Sequence, residues 1–212
     1  MDPLQEHLAR LGLNVIGKRG FVLGGGHAIE LHAMGDRPSE DIDLFSIERG
    51  SPAAVADDLL DAYTREGFTV IVGLRTADLV QMEVTDAQGR GCKVDLGVFW
   101  RARAPVLLDV GPVLHPDDAV AGKMDALFNR WAPRDFLDVS TILASGKYTR
   151  QQLMSIAAEH NPGFSSGVFA ESLSYLHRIP DREFAAYGVS EEHVTRMRRE
   201  FSSWENDLQA GR

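Results

Sequence analysis

GFVLGGGHAIELHAMGDRPSEDIDLF, residues 20–45, is the stretch that decides how this chain reads. The apolar run Phe21-Val22-Leu23 closes on Gly24, Gly25 and Gly26, and Asp41-Ile42-Asp43 begins fifteen residues after Gly26. Glycines after a strand allow a backbone to come close to phosphate. Two carboxylates two residues apart on a strand project from the same face. Together these signals predict a cradle for a nucleoside triphosphate and its magnesium.

Working outward, Leu4, Leu8 and Leu11 stand at helical spacing, so Pro3 to Leu13 is expected to be an amphipathic helix. His27 to Met34 restarts a helix after the glycines, and Arg37-Pro38-Ser39-Glu40 is a loop because proline restricts the residue before it. Asp41 to Ser46 reads as a strand with Ile42 and Leu44 inward and both aspartates outward. Pro52 to Glu66 is a helix with proline near its start and Gly67 after its end. Three strands follow, Phe68–Val72, Leu79–Thr85 and Cys92–Phe99. The middle one alternates Val80, Met82 and Val84 with Gln81 and Glu83, which predicts an antiparallel strand with one wet face. From Asp117 onward the pattern is helical, in five segments broken by Pro133, Gly146, Pro162-Gly163, Pro180 and Gly188. The expected architecture is an α+β core over residues 1–112, followed by a helical region over 113–212 that packs on it.

Bulk properties narrow the class. At 212 residues, with 44% hydrophobic and 25% charged residues, the chain is long enough for one good core and ordinary in composition. A single cysteine, Cys92, excludes an intrachain disulfide and a thiolate zinc cluster, and it fits a reducing cytoplasm. The N-terminus begins acidic and no apolar run approaches membrane-spanning length, so a cytoplasmic protein with no membrane partner is expected. A net charge of −9 argues against generic nucleic-acid binding but leaves room for RNA held by a local basic patch. Arg101 with Arg103, and Arg196 with Arg198 and Arg199, are the clusters that could form one, although such clusters are more often solvated faces than binding sites.

Three carboxylates carry the chemical reading. Asp41 and Asp43 repel one another on one strand face unless a divalent metal neutralises them; the bland alternative is a surface turn with two exposed acids. Asp95 sits mid-strand among apolar residues, where aspartate is disfavoured. A third carboxylate there would complete a two-metal site, or it pairs with Lys93 on a wet face. On a later helix Lys123, Leu127 and Arg130 share a face, so the lysine and arginine could reach triphosphate oxygens. Asp135 and Asp138 lie near the start of the next helix, where they could equally be dipole-favoured acids pairing with Arg130 or Arg134. His27 is expected to touch phosphate or base, or to cap its helix, and Ser39, with no GxSxG context, reads as a turn residue or a hydroxyl at the rim of the site. Trp100, Trp131 and Trp204 read as core or rim packing. The sequence lacks the lysine-serine pair of a P-loop and the full glycine spacing of a dinucleotide fold.

These motifs, Gly25-Gly26-His27-Ala28-Ile29, Arg37-Pro38-Ser39-Glu40-Asp41-Ile42-Asp43-Leu44-Phe45, Val94-Asp95, and Lys123 with Arg130, Arg134, Asp135 and Asp138, together resemble those of the AbiEii/AbiGii-type nucleotidyltransferase toxins, which include the MenT toxins. The resemblance covers about residues 20–140. It implies a polymerase-β-like nucleotidyltransferase fold, a mixed sheet flanked by helices with an added helical region. It also implies transfer of a nucleotidyl group from a nucleoside triphosphate, with Mg2+ or Mn2+, to the 3′ end of tRNA, and a cognate antitoxin as partner. By position Asp41 and Asp43 would hold metal, with Asp95 as third carboxylate. Gly25, Gly26, His27, Ser39, Lys123 and Arg130 would meet the nucleotide, and Asp135 would be the late motif acid. His27 departs from the small hydroxyl residue usual after the paired glycines. Two other readings keep part of this picture: transfer to a small-molecule hydroxyl, such as a cationic antibiotic, or to a protein, and a catalytically silent nucleotide- or antitoxin-binding module.

Overall fold

Period-two alternation builds the first part of the molecule. The computed structural model describes residues 1–35 and 37–211 and divides into two units, Met1–His32 with Pro38–Ala119, and Ala33–Arg37 with the chain from Val120 onward. In the first unit the elements run α1 (Pro3–Ile16), β1 (Val22–Leu23), α2 (Gly25–Leu31), β2 (Asp41–Ser46), α3 (Ser51–Arg65), β3 (Thr69–Arg75), β4 (Leu79–Thr85), β5 (Gly91–Val98), β6 (Val106–Leu108) and β7 (Gly111–Val113). Their strands form one mixed sheet in the order β3-β4-β5-β2-β1-β7-β6. Pairing is parallel for β2 with β5 and for β1 with β7, and antiparallel elsewhere.

One sheet face is apolar and fully covered. Ile42, Leu44, Val80, Met82, Val84, Val94 and Leu96 are buried on it, as are Leu8, Leu13, Val55, Leu59 and Tyr63 of α1 and α3. The two helices touch closely because Gly12 has no side chain; a Cβ there would lie 3.0 Å from the Tyr63 hydroxyl. That hydroxyl donates to the Leu8 carbonyl at 3.1 Å. The start of α1 is fixed by a capping box in which Asp2 accepts from the Leu4 and Gln5 amides while the Gln5 side chain accepts from the Asp2 amide.

The expected wet face of β4 is present: Gln81 and Glu83 are exposed, and β4 pairs antiparallel on both sides. Strand β3 runs past Val72 to Arg75 because an irregularity between those residues lets the edge strand continue through Gly73. The β6–β7 hairpin was not expected. Its strands are three residues each and one contains Pro112, too short and too broken to show alternation. Helix α2 starts on Gly25 itself, two residues earlier than the sequence pattern places it.

The second unit is helical. Most of α4 (Pro116–Asn129) belongs to it, with α5 (Pro133–Ala144), α6 (Arg150–His160), α7 (Ser166–Ser174), α8 (Asp181–Ala185) and α9 (Glu191–Ala210). Aromatic side chains fill its centre: Phe136 and Trp204 each meet Phe201, and Phe169 meets Trp204, with all four buried. Trp204 is thus core packing, as read from the sequence, whereas Trp100 is 51% and Trp131 39% exposed. Among the described residues no helix is long and apolar enough to cross a membrane.

Cys92 lies on the buried side of β5, and burial pushes its thiol pKa up to about 12. A thiol so placed holds roughly a thousandfold less thiolate near pH 8 than a free one. Iodoacetamide at pH 8 should therefore leave the native chain unlabelled over a time that fully labels it in urea, read by intact mass. Equal labelling of the two states would show Cys92 to be accessible.

Candidate active site

Parallel pairing of β2 with β5 sets Asp41 opposite Lys93 and Asp43 opposite Asp95. Because side chains alternate, all three carboxylates share the face opposite to buried Ile42, Leu44, Val94 and Leu96, and all three are half-buried. Strand β4 adds Gln81 directly opposite Asp95. Its side-chain amide donates to Asp95 Oδ2 at 3.0 Å, while Asp95 Oδ1 is buried with no hydrogen-bond partner. Burial raises the Asp95 pKa; the Gln81 hydrogen bond opposes this, and the nearby Asp41 charge adds to it.

The glycines act on this carboxylate row by closeness. The Gly24 amide donates to the Asp43 carbonyl at 2.8 Å, so the chain leaving β1 lies against β2. Gly25 has φ +58, and a Cβ on it would stand 1.7 Å from Asp43 Oδ2. At Gly24 a Cβ would stand 2.3 Å from the Phe45 ring. That ring, next along the aspartate face, stacks on Phe99 with centroids 5.2 Å apart. Glycine is required at both positions, for space and at Gly25 also for the left-handed backbone.

His27 stands apart from this arrangement. It is 1% exposed, its Nδ1 lies 3.3 Å from Glu30 Oε2, and its Nε2 is buried without a partner. Burial lowers its pKa despite the favourable Glu30 contact. Ser39 lies in the loop before β2; its hydroxyl donates to the Asp41 carbonyl at 3.4 Å and its own carbonyl accepts from Gln5 at 2.7 Å. These bonds shape the loop that leads into Asp41.

The donors fit a divalent cation. They are hard oxygens on adjacent strands, and one buried carboxylate oxygen has no partner. Among the described residues no three or more His, Cys, Asp or Glu side chains are gathered to hold a metal by themselves. Magnesium is ordinarily held by one or two carboxylates together with substrate phosphates and waters, which a pair such as Asp41 and Asp43 can supply.

In the second unit the predicted cations meet carboxylates. Arg130 grips Asp135 with Nε at 3.0 Å from Oδ2 and Nη2 on Oδ1, and the Ala132 amide donates to Oδ2 at 2.9 Å. Asp135 is therefore a buried acid at the first turn of α5, which ties Arg130 to the α4–α5 corner. Lys123 instead contacts Asp138: Nζ is 2.7 Å from Oδ2, and Arg37 Nε donates to Oδ1 at 2.8 Å. Asp138 thus joins the cation of α4 to an arginine four residues before Asp41. The sequence offered Asp135 and Asp138 as partners of Arg130 or Arg134; the contact of Lys123 with Asp138 was not among its readings.

Burial disfavours the charged form of Asp138, yet Lys123 and then Arg37 hold its pKa below the ordinary carboxylate value. A depressed folded-state pKa contributes stability that is complete above about pH 4 and is lost as pH falls through the folded value. Removing one partner of such a buried pair costs about 3–5 kcal/mol. Asp138→Ala should lower stability by about that amount in urea titrations at pH 7, and the difference from wild type should shrink as pH falls below 4. A difference that does not change with pH would assign the loss to packing.

A seven-stranded mixed sheet covered by helices, with an aspartate pair on β2 beside a parallel-strand aspartate and glycines against it, is the polymerase-β-like α+β fold of nucleotidyltransferases. The family model "Nucleotidyl transferase AbiEii toxin, Type IV TA system" matches residues 8–207, and the chain belongs to that family of nucleotidyltransferase enzymes. Among solved structures it resembles a candidate nucleotidyltransferase from H. pylori, with TM-score 0.58, 15% identity, and 100% of this chain and 99% of the other covered. It also resembles JHP933 from Helicobacter pylori, with TM-score 0.54, 16% identity and coverage of 99% and 98%. A third likeness is to MenT4, a nucleotidyltransferase toxin from Mycobacterium tuberculosis H37Rv, with TM-score 0.54, 15% identity and coverage of 97% and 92%. No curated protein matches the sequence significantly.

Proposed function

We propose that this enzyme, the toxin of a toxin–antitoxin pair, moves a nucleotidyl group from a nucleoside triphosphate to a hydroxyl at the 3′ end of tRNA, with Mg2+. The observation that carries this reading is the register that sets Asp43 beside Asp95 with Gly25 resting on Asp43. Asp41 and Asp43 would hold the magnesium ion, and Asp95 would serve as base. When bound, the ion would neutralise triphosphate charge and steady the phosphate for in-line attack. The Asp95 carboxylate would accept the proton of the acceptor hydroxyl. The freed oxygen bonds the α-phosphorus, the bond from that phosphorus to the bridging oxygen breaks, and pyrophosphate leaves. Lys123, its ammonium placed by Asp138, is the proposed cation for the triphosphate charge. Arg130 and Asp135 act as a pair that fixes the corner after α4. A cognate antitoxin is the expected protein partner.

The test is incubation with each labelled nucleoside triphosphate, Mg2+ and total tRNA, alongside Asp43→Ala. The expected result is label on tRNA 3′ ends with the wild type and about a hundredfold to a thousandfold less with the variant, as for loss of a principal electrostatic group. Label on RNA that is equal for the two proteins, or none with any triphosphate, defeats the proposal.

A further inference from the structure

The sheet of the first unit ends in two edge strands of different character. At one end β6 is three residues long and pairs with a strand containing Pro112, so it offers little backbone to a newcomer. At the other end β3 runs for seven residues, Thr69 to Arg75. Among the described residues, Thr69–Arg75 make no backbone–backbone hydrogen bond beyond those to β4. The outward peptide groups of β3 therefore form an open row.

The side chains of β3 do little to discourage pairing. Edge strands that stay single ordinarily carry a lysine, a proline or an inward charge. Residues 69–74 contain none of these, and Ile71 is 60% and Leu74 45% exposed. The first charge is Arg75, which Asp57 of α3 holds through bonds of 2.7 and 3.0 Å.

The partner that fits this edge is the same edge. Val70-Ile71-Val72 reads alike in both directions. In an antiparallel pair with its twofold axis at Ile71, Ile71 meets its own copy, Val70 meets Val72, and Thr69 meets Gly73. Faces match in this register. Thr69 and Ile71 lie opposite Thr85 and Glu83 on one side of the sheet, while Val70 and Val72 lie opposite buried Val84 and Met82 on the other. The exposed halves of the two valines would then cover one another across the axis. The irregularity after Val72 ends the regular pairing near Gly73. Charge agrees with the direction: exposed Glu66 precedes the strand and Arg75 ends it, so antiparallel pairing brings opposite charges together, whereas parallel pairing would set like against like.

We infer that β3 is a dimer interface, through which two copies of this chain join their sheets edge to edge, antiparallel and centred on Ile71. The inference is independent of the proposed reaction, since β4 and β5 separate β3 from Asp41 and Asp43.

The experiment is sedimentation velocity on the full chain over about 1–100 µM, for wild type and Ile71→Lys, with circular dichroism to confirm folding. Wild type should dimerise reversibly. Ile71→Lys should keep its fold and raise the dissociation constant at least about tenfold, because two lysines would face one another at the axis. Disulfide trapping gives a second readout, as the native Cys92 is buried. Mild oxidation should convert most of Ile71→Cys to a covalent dimer. It should leave as monomers Glu83→Cys, one strand further in, and Leu107→Cys, 80% exposed at the opposite edge. Wild type that stays monomeric throughout the range would leave the edge to a foreign strand and overturn the inference. A dimer that survives Ile71→Lys, or equal trapping of all the cysteine variants, would overturn it as well.

Discussion

Asp95→Asn is expected to slow nucleotidyl transfer by about 10²–10⁴-fold while leaving nucleotide affinity within about twofold, because it deletes proton-accepting capacity and little else. Asparagine has the same shape, and its side-chain carbonyl can keep the hydrogen bond from Gln81 that Asp95 Oδ2 now accepts at 3.0 Å. The oxygen that changes is Oδ1, which is buried and without a partner. Rate measured at saturating triphosphate and RNA, beside nucleotide affinity from equilibrium binding with Mg2+, separates the two possible roles. A base at Asp95 lowers the rate alone. A third metal ligand there would weaken magnesium-dependent nucleotide binding as well. Activity within tenfold of wild type would remove Asp95 from the chemistry altogether.

Much of this site was legible because its signals are local. Period-two alternation in β2 put Asp41 and Asp43 on one face, and an aspartate amid the apolar residues of β5 marked Asp95. That these strands are neighbours, in parallel and in register, is a long-range fact that no local pattern encodes. Gln81 was read only as a residue on a wet face, since nothing in an alternating strand says which carboxylate its amide will meet. His27 illustrates the same limit. Its place after three glycines suggested contact with substrate, yet the first turn of α2 carries it inward to Glu30. The glycines do follow β1 as the sequence indicated, while the direction of the side chain after them was set by packing.

The helical region shows a different kind of ambiguity. Asp135 and Asp138 are one turn apart, and either could neutralise a cation of α4. The corner after α4 decided the pairing: Arg130, close to the corner, folds back on Asp135, and Lys123, about two turns earlier, is left for Asp138. Trp131 sits in that corner with φ +59, a left-handed position usually given to glycine. Its indole N–H reaches both the Phe128 carbonyl and the Ser172 hydroxyl, and its ring lies 5.2 Å from Tyr175. Those contacts hold an aromatic residue where the backbone alone would disfavour one.

Gly25→Ala should abolish transfer although it adds one methyl group. Two effects meet at this residue. The left-handed backbone, φ +58, costs a residue with a Cβ about 1–2 kcal/mol. The larger effect is spatial, since the new Cβ would stand 1.7 Å from Asp43 Oδ2 and 2.6 Å from its carboxyl carbon. Either the carboxylate turns away from the row it forms with Asp95, or the start of α2 retreats from β2 and strains the Gly24–Asp43 backbone hydrogen bond of 2.8 Å. Both displace the proposed metal ligand by more than the half-ångström that a preorganised site tolerates. Gly67→Ala is the matching control, because Gly67 also has a left-handed backbone, φ +90, yet a Cβ there would meet nothing within 4 Å. Both variants should lose stability from backbone strain, by thermal melting, and Gly25→Ala should lose more because of its clash with Asp43. Only Gly25→Ala should lose activity, by at least about a hundredfold, as expected when a reacting group moves by an ångström. Equal activity in the two variants would mean that Asp43 does not need its present position, and the assignment of the catalytic row to β2 and β5 would fail with it.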